Sequence, residues 1–262
     1  DEEAVARGGP EASCKAAFVI SLLKDLHAGG HRTLIFSQSR VMLDVLQGGI
    51  DDELGWKHCR IDGSVSSPQE RQDRVAKFQN DPSIPVFLLS SQVGGLGLTI
   101  TAADRVVIVD PAWNPSTDNQ SVDRAYRMGQ TRDVVVYRLI TCGTVEEKIY
   151  RKQVFKGALS RAGMQDGDHF RYFSQTELTD LFNATADGFD RSETQRQLAR
   201  LHAAQRVADE ALQAHLAALS KWGEVYGVSD HDLLYTKSAE EATDQKIVER
   251  EKASRAGRSF SA

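Results

Sequence analysis

The sequence predicts an α/β protein: a parallel sheet flanked by helices, then a helical C-terminal extension. Three observations predict it. Apolar, β-branched runs alternate with helical patterns along the first 160 residues. The runs are almost continuously apolar, as strands buried on both faces must be. Past residue 160 the alternation stops and helical composition takes over.

Taken in order, the first strand is "RTLIFS" (32–37), followed by a helical stretch from Arg40 to about Gln47. "WKHCRID" (56–62) is the second strand. The helix after it carries a start signal: in "SSPQERQDRVAKF", Ser67 and Glu70 have capping-box spacing and Pro68 takes the first helical position. "PVFLLS" (85–90), "RVVIVD" (105–110) and "VVVYRLI" (134–140) supply three further strands, and a helix runs from about Thr144 to Leu159. "AGMQDGDHF" reads as a Gly-containing linker, and residues 190–220 as one long helix with Leu198, Leu201, Ala208, Leu212 and Leu216 at helical spacing. After Lys237 the sequence is charged and poor in aromatics, the composition of a disordered tail.

Composition narrows the class. Hydrophobic residues make up 40% and charged residues 26%, which fits a globular domain with a real core. No apolar run approaches the roughly 20 residues of a membrane helix, and the first ten residues lack the layout of a secretory signal. Cys14, Cys59 and Cys142 are widely spaced and odd in number, which argues against a disulfide framework or structural zinc and for a reducing, intracellular setting. Net charge is −5, yet residues 121–160 hold eight Lys or Arg against four Asp or Glu. A local positive face of this kind can meet a polyanion in an acidic chain.

In functional folds of this class, the loops that act lie at the carboxyl ends of the strands. "SSQVGGLGLTITAAD" (90–104) follows a strand, and Gly94, Gly95 and Gly97 allow close backbone approach to phosphate. A plain turn remains the alternative, since no full G-x-G-x-x-G is present. "SVDRAYRMGQTR" (121–132) sets Arg124 and Arg127 three apart, a spacing that on a helix puts both guanidinium groups on one face. An isolated R-x-x-R is usually a solvated surface pair, so its neighbours must decide.

Two stretches resemble nucleotide motifs without being them. "GPEASCKA" (9–16) has a Walker A rhythm, but Cys14 stands where Gly belongs, Ala16 where Ser or Thr belongs, and no strand precedes it. "DEEA" at the start has no strand before it to make a Walker B motif. No metal-ligand set is expected in the chain, and the chain has no evident means of holding a nucleotide triphosphate with Mg²⁺ by itself. Arginines that reach toward a nucleotide held elsewhere become the more economical reading.

Gln120, Arg124 and Arg127 match Q-x-x-x-R-x-x-R, and the chain here resembles the superfamily-two helicases at their last motif. "RTLIFSQSRVMLDVL" resembles the fourth motif and "RIDGSVSSPQERQDRVAKF" the segment after it. "LLSSQVGGLGLTITAADRVVIVDPAWNP" and "DRAYRMGQ" resemble the fifth and sixth motifs as found in Swi/Snf-type DNA translocases. "VVVYRLITCGTVEEKIYRKQVFKGAL", "FRYFSQTELTDLF", "LHAAQR" and "VSDHDLLYT" are similar to the polo-kinase-interacting checkpoint helicase (PICH) group and its eukaryotic relatives. One departure is "SSQVGG", where many Swi/Snf members have Thr-Arg-Ala-Gly-Gly, so a common basic residue is missing at Gln92.

The resemblance implies a RecA-like second helicase lobe at 1–160, a helical family-specific extension at 161–236 and a charged tail at 237–262. It implies Arg124 and Arg127 as catalytic arginine fingers, with Gly95, Gly97 and Gln120 beside them at ATP. Gln38, Arg40, Ser64, Thr99 and Trp113 would face double-stranded DNA, with packing as the competing role for Trp113. ATP and Mg²⁺ would be held mainly by an N-terminal RecA-like lobe of the same protein. A nuclear or chromosome-associated setting and no membrane contact follow from the same likeness. The fragment alone would be inactive. A non-catalytic DNA or protein interaction module, docking through the helical extension, is the alternative; a Rossmann-type enzyme is disfavoured because the Gly loop does not follow the first strand.

Overall fold

In a computed structural model, the residues described are 13–92, 97–161 (side chains to 154), 210–223, 225, 227 and 228. The chain divides into two compact units, Asp1–Thr141 and Cys142–Ala262. The domain limits expected near 160 and 236 fall at the edge of these residues or outside them.

The first unit runs α1 (Cys14–Ala28), β1 (Thr33–Ser37), α2 (Arg40–Gly49), a π-helical turn (Ile50–Leu54), β2 (His58–Ile61), α3 (Pro68–Asn80), β3 (Val86–Ser90), β4 (Arg105–Ile108), α4 (Pro115–Val122) and β5 (Val135–Arg138). The strands form one sheet in the order β2-β3-β1-β4-β5. Every pairing is parallel, with Ile35 opposite Leu88 on one side and Val107 on the other. β1 and β3 are buried at every residue, as a sheet covered on both faces requires. All five expected strands are present, each one to three residues shorter than its apolar run.

Side chains alternate across the sheet. Leu34, Phe36, Cys59, Ile61, Phe87, Leu89, Val106 and Ile108 share a cluster with Phe78 of α3 and with Ile100, Ala103 and Ala125. This face is covered by α3, by the irregular crossover into β4 and by the crossover into β5 that carries α4. On the opposite face α2 packs against β1 and β3, and α1 packs against α2. Chain order reverses about the central β1, and ligands of open α/β sheets bind outside the carboxyl ends at such a point.

Helix starts follow their chemistry. Ser67 accepts a hydrogen bond from the Glu70 amide, with Pro68 next, as the spacing predicted. The other half of the capping box is replaced: the Glu70 carboxylate accepts from Arg74 at 2.6 Å. Ser13, Ser39 and Asn114 cap α1, α2 and α4 in the same way.

α1 is absent from the sequence-based assignment. Its burial of Ala16, Val19, Ile20, Leu22, Leu23 and Leu26 makes it a core helix. Lys15, the residue that lends "GPEASCKA" its Walker rhythm, donates to the carbonyls of Val109 (2.6 Å) and Leu139 (3.3 Å) beyond β4 and β5. It braces backbone.

In the second unit, α5 spans Val145–Arg161, close to the expected helix. Thr144 Oγ1 accepts from the Glu146 amide and Glu147 reaches back to the Gly143 amide, so two free N–H groups at the helix start are satisfied. α6 covers Glu210–Leu219, the described part of the helix expected over 190–220; the remainder of that helix and "FRYFSQTELTDLF" lie outside the described residues. No helix among the described residues is long and apolar enough to cross a membrane.

Candidate functional site

The sixth-motif segment differs from the helix expected for it. α4 ends at Val122, and residues 123–129 form overlapping turns. The cause lies in where the carbonyls go. Arg124 O accepts from the Ile100 amide at 2.9 Å, and Ala125 O accepts from the Gln130 side chain at 3.2 Å. A continuing helix would need both carbonyls for its own amides four residues on. Asp123, with ψ near −6°, begins the departure. Gly129, at φ 100°, closes it in a conformation that a side chain resists.

Both guanidinium groups nonetheless meet one object. Arg127 donates to Gly97 O (3.2 Å) and to Thr99 Oγ1 (3.1 Å), and Arg124 donates to Leu98 O (3.4 Å). The structure therefore brings Gly97, Thr99, Arg124 and Arg127 together, although the turn geometry replaces the helix face. Gly97, at φ 71°, is in the left-handed region that glycine tolerates best. Gly95 lies outside the described residues. Gln120 is exposed on α4, and no hydrogen bond joins it to either arginine.

The electrostatics of the pair are unusual for a surface cluster. Burial lowers the pKa of Arg124, the positive charge of Arg127 lowers it further, and Asp123 partly opposes both. Its Nε is buried without a hydrogen-bond partner among the described residues. Among those residues neither guanidinium makes an ion pair. Two cations held together on neutral acceptors, one of them partly desolvated, form a place that an anion would relieve.

The residues expected at DNA separate into three groups. Gln38 and Trp113 stand on adjoining loops at the carboxyl ends of β1 and β4: Gln38 Nε2 donates to Pro111 O at 2.9 Å, and the Gln38 amide donates to Asp110 at 2.6 Å. Asp118, buried in α4, accepts from the Ala112 amide and faces Arg138, which steadies the loop carrying Trp113. Trp113 is 46% exposed, more than a packing role alone requires. Arg40 is exposed at the start of α2.

Ser64 stands apart, at the end of β2. Its hydroxyl (2.6 Å) and amide (2.8 Å) both donate to Asp62 Oδ1. Burial would raise the pKa of Asp62, but the two Ser64 donors and the Arg60 guanidinium outweigh it and bring the value to about 2. With both of its protons committed, Ser64 has no donor left for a phosphate. Thr99, the third group, belongs with the arginines.

Gln130 is a residue the sequence reading quoted but gave no role. Its Nε2 reaches the carbonyls of Thr101 (3.1 Å), Ala103 (2.8 Å) and Ala125 (3.2 Å), and its Oε1 accepts from the amides of Thr131 and Arg132, each at 3.0 Å. Such long-range bonds leave no periodic trace in sequence. Gln79 of α3 holds the same segment from the other side, through the Ala102 amide at 2.7 Å. Among the described residues no group of three or more His, Cys, Asp or Glu is placed to hold a metal ion.

Comparison with known proteins identifies the fold that carries this site. Residues 14–129 match the helicase conserved C-terminal domain. The chain is 52% identical over 239 residues, 91% of its length, to the SNF2 domain-containing protein ENL1 of Oryza sativa. It is 53% identical over 237 residues, 90% of its length, to Protein CHROMATIN REMODELING 24 of Arabidopsis thaliana. It spans 24% and 22% of those two proteins. The Sulfolobus solfataricus SWI2/SNF2 ATPase core, solved in complex with dsDNA, aligns over 68% of this chain and 37% of its own with a TM-score of 0.55 and 33% identity. The chain thus contains a RecA-like helicase C-terminal lobe of the Swi/Snf type.

Proposed function

We propose that this chain supplies the second motor lobe of an ATP-dependent double-stranded DNA translocase, with Arg124 and Arg127 as its arginine fingers. The observation that carries the reading is the guanidinium couple at Gly97–Thr99, which has no ion pair among the described residues, together with the buried Arg124 Nε, which has no hydrogen-bond partner among them. ATP would sit against this turn while held mainly by an N-terminal RecA-like lobe of the same protein, which would also carry Mg²⁺. Arg presents a planar fork of donors suited to phosphate oxygens. When the lobes close, the pair exchanges its neutral acceptors for the γ-phosphate and offsets charge that develops as the phosphoryl group transfers.

Gln38, Arg40 and Trp113, clustered at the carboxyl ends of β1 and β4, form this lobe's part of the DNA track. Contacts of this type go to the backbone and carry no sequence information. The relatives' names, a chromatin remodelling protein and a SNF2 domain protein, support a nuclear or chromosome-associated setting. The similarity of residues 134–236 to the PICH group supports a family-specific extension that braces the lobe or receives a protein partner.

The test is DNA-stimulated ATP hydrolysis by the two-lobed protein carrying Arg124→Ala, Arg127→Ala or Arg127→Lys. Arginine fingers contribute on the order of 10³ to 10⁵ in turnover in other phosphoryl-transfer enzymes; with two sharing the task, each single loss costs less. Lysine fails to rescue because it lacks the fork. ATP affinity changes less than turnover, because the contacts form in the closed state. Full turnover in both folded alanine variants would overturn the proposal. The 262-residue chain alone, lacking the partner lobe, is expected to hydrolyse no ATP above background, with or without DNA.

A further inference from the structure

We infer that Gln130 is a positioning residue for the arginine pair, holding the turn in which Arg124 and Arg127 stand; the inference rests on the arginine-finger reading above. A primary amide has two N–H donors and two carbonyl lone pairs. In Gln130 all are committed inside the protein: the Nε2 hydrogens are shared among the carbonyls of Thr101, Ala103 and Ala125, and Oε1 takes the amides of Thr131 and Arg132. No part of the side chain remains for a ligand.

The pattern of partners gives the role. Ala125 is the residue just after Arg124 and two before Arg127, and it is fully buried. Its carbonyl is thus fixed between the two arginines. Thr101 and Ala103 continue the segment whose Gly97, Leu98 and Thr99 receive the guanidinium groups. Arg132 leads toward β5 and pairs with buried Asp104 at 3.2 Å. One side chain therefore joins the finger turn, the glycine segment and the entry to β5. Because Gly129 at φ 100° and the bond from the Gln130 amide to Arg127 O turn the chain back, Gln130 reaches a carbonyl five residues before it. The two arginine Cα positions are then set by bonds that a solvated turn would lack.

Misplacing a positioned group by about 1 Å can cost on the order of 10²-fold in rate. Loss of the Gln130 amide should act through the arginines, lowering kcat while leaving ATP binding to the other lobe intact. In the two-lobed protein we would measure DNA-stimulated kcat, KM for ATP, binding of a fluorescent ATP analogue and the melting temperature. The variants are Gln130→Ala, the volume-conserving Gln130→Met, Arg127→Ala and the double variant Gln130→Met/Arg127→Ala. The expected result is a roughly 10- to 100-fold fall in kcat for Gln130→Met with analogue affinity within about threefold. In the Arg127→Ala background the same change should cost much less than it does alone, since the two act as a unit.

Unchanged kcat in a folded Gln130→Met protein, or a loss that multiplies independently with that of Arg127→Ala, would overturn the inference. So would failure of both Gln130 variants to fold, which would make the residue a requirement of folding alone. A crippling Arg127→Ala beside a silent Gln130→Met would reject this inference and leave the finger reading standing. Silence of both Arg124→Ala and Arg127→Ala would reject the reading beneath it.

Discussion

Two arginine clusters in the same unit differ in what they face. Arg105 and Arg132 converge with His31 and the Arg32 amide on one buried carboxylate, Asp104, at distances of 2.8 to 3.5 Å. Arg32 itself is spread over the carbonyls of Phe78, Asp81 and Ile84 and lies 4.0 Å from the Phe78 ring centroid. Among the described residues, Arg124 and Arg127 have two carbonyls and a threonine hydroxyl as acceptors. The first cluster has a carboxylate built in and joins the starts of β1, β4 and β5. The second is cationic and incomplete. The difference teaches that an arginine is structural when its counter-charge is built in, and available for chemistry when the counter-charge must arrive from outside.

Removing the built-in charge should produce the largest effect on stability. Asp104→Ala strands the largely buried Arg105 guanidinium without its counter-charge, while the exposed Arg132 falls back on water; breaking a buried pair from one side costs about 3–5 kcal/mol. Denaturant unfolding of the isolated chain would measure it. A loss comparable to that of a surface carboxylate would erase the contrast between the clusters.

The next effect is a backbone one. Gly129→Ala meets open space, since no atom lies within 4 Å of an added Cβ, so its cost comes from φ 100° alone. That strain is roughly 1–2 kcal/mol. It falls on the finger turn, so ATP turnover of the two-lobed protein should drop as well as the melting temperature.

A third, smaller effect appears with pH at a carboxylate outside both clusters. The folded pKa of Asp62 is depressed to about 2, so its contribution to stability is complete above the unfolded value near 4 and is lost as pH falls through about 2. Asp62→Asn should flatten the acid limb of stability against pH over that window. A variant with the wild-type acid limb would show that Ser64 and Arg60 do not hold the carboxylate as described.

The smallest expected effect concerns DNA. The lobe alone should bind duplex weakly and without sequence preference, with affinity falling steeply as salt rises because phosphate contacts release counterions. Arg40→Ala should reduce the salt slope by about one counterion. Salt-independent anisotropy titrations would argue against a phosphate track.

Much of the fold was legible because it rests on local signals. The runs around Leu34–Phe36, Phe87–Leu89 and Val106–Ile108 could only be buried strands, and Ser67 with Pro68 marked a helix start to the residue. α1 had a signal too, with Ser13 before a spaced apolar stripe, but the Walker-like rhythm of the same stretch competed for the reading. At the site, the structure brings Arg124 and Arg127 onto the one segment Gly97–Thr99, and their spacing was readable. The helix beneath them was not, because the carbonyls that end it are claimed by Ile100 and Gln130 across the chain. The Asp104 cluster was invisible for the same reason: His31 and Asp104 are 73 residues apart. The Ser64–Asp62 pairing was also illegible, because nothing in sequence reveals that Asp62 takes both its protons.

The central claim is that one cluster maintains structure and the other awaits a phosphate. Its most direct test pairs turnover with stability in a single two-lobed protein. DNA-stimulated ATPase kcat and melting temperature would be measured together for Arg127→Ala and Arg132→Ala. The account predicts that Arg127→Ala loses most of its turnover with little change in melting temperature, while Arg132→Ala lowers the melting temperature and keeps its turnover once folded. The reverse pattern, or equal effects of both substitutions on both quantities, would contradict it.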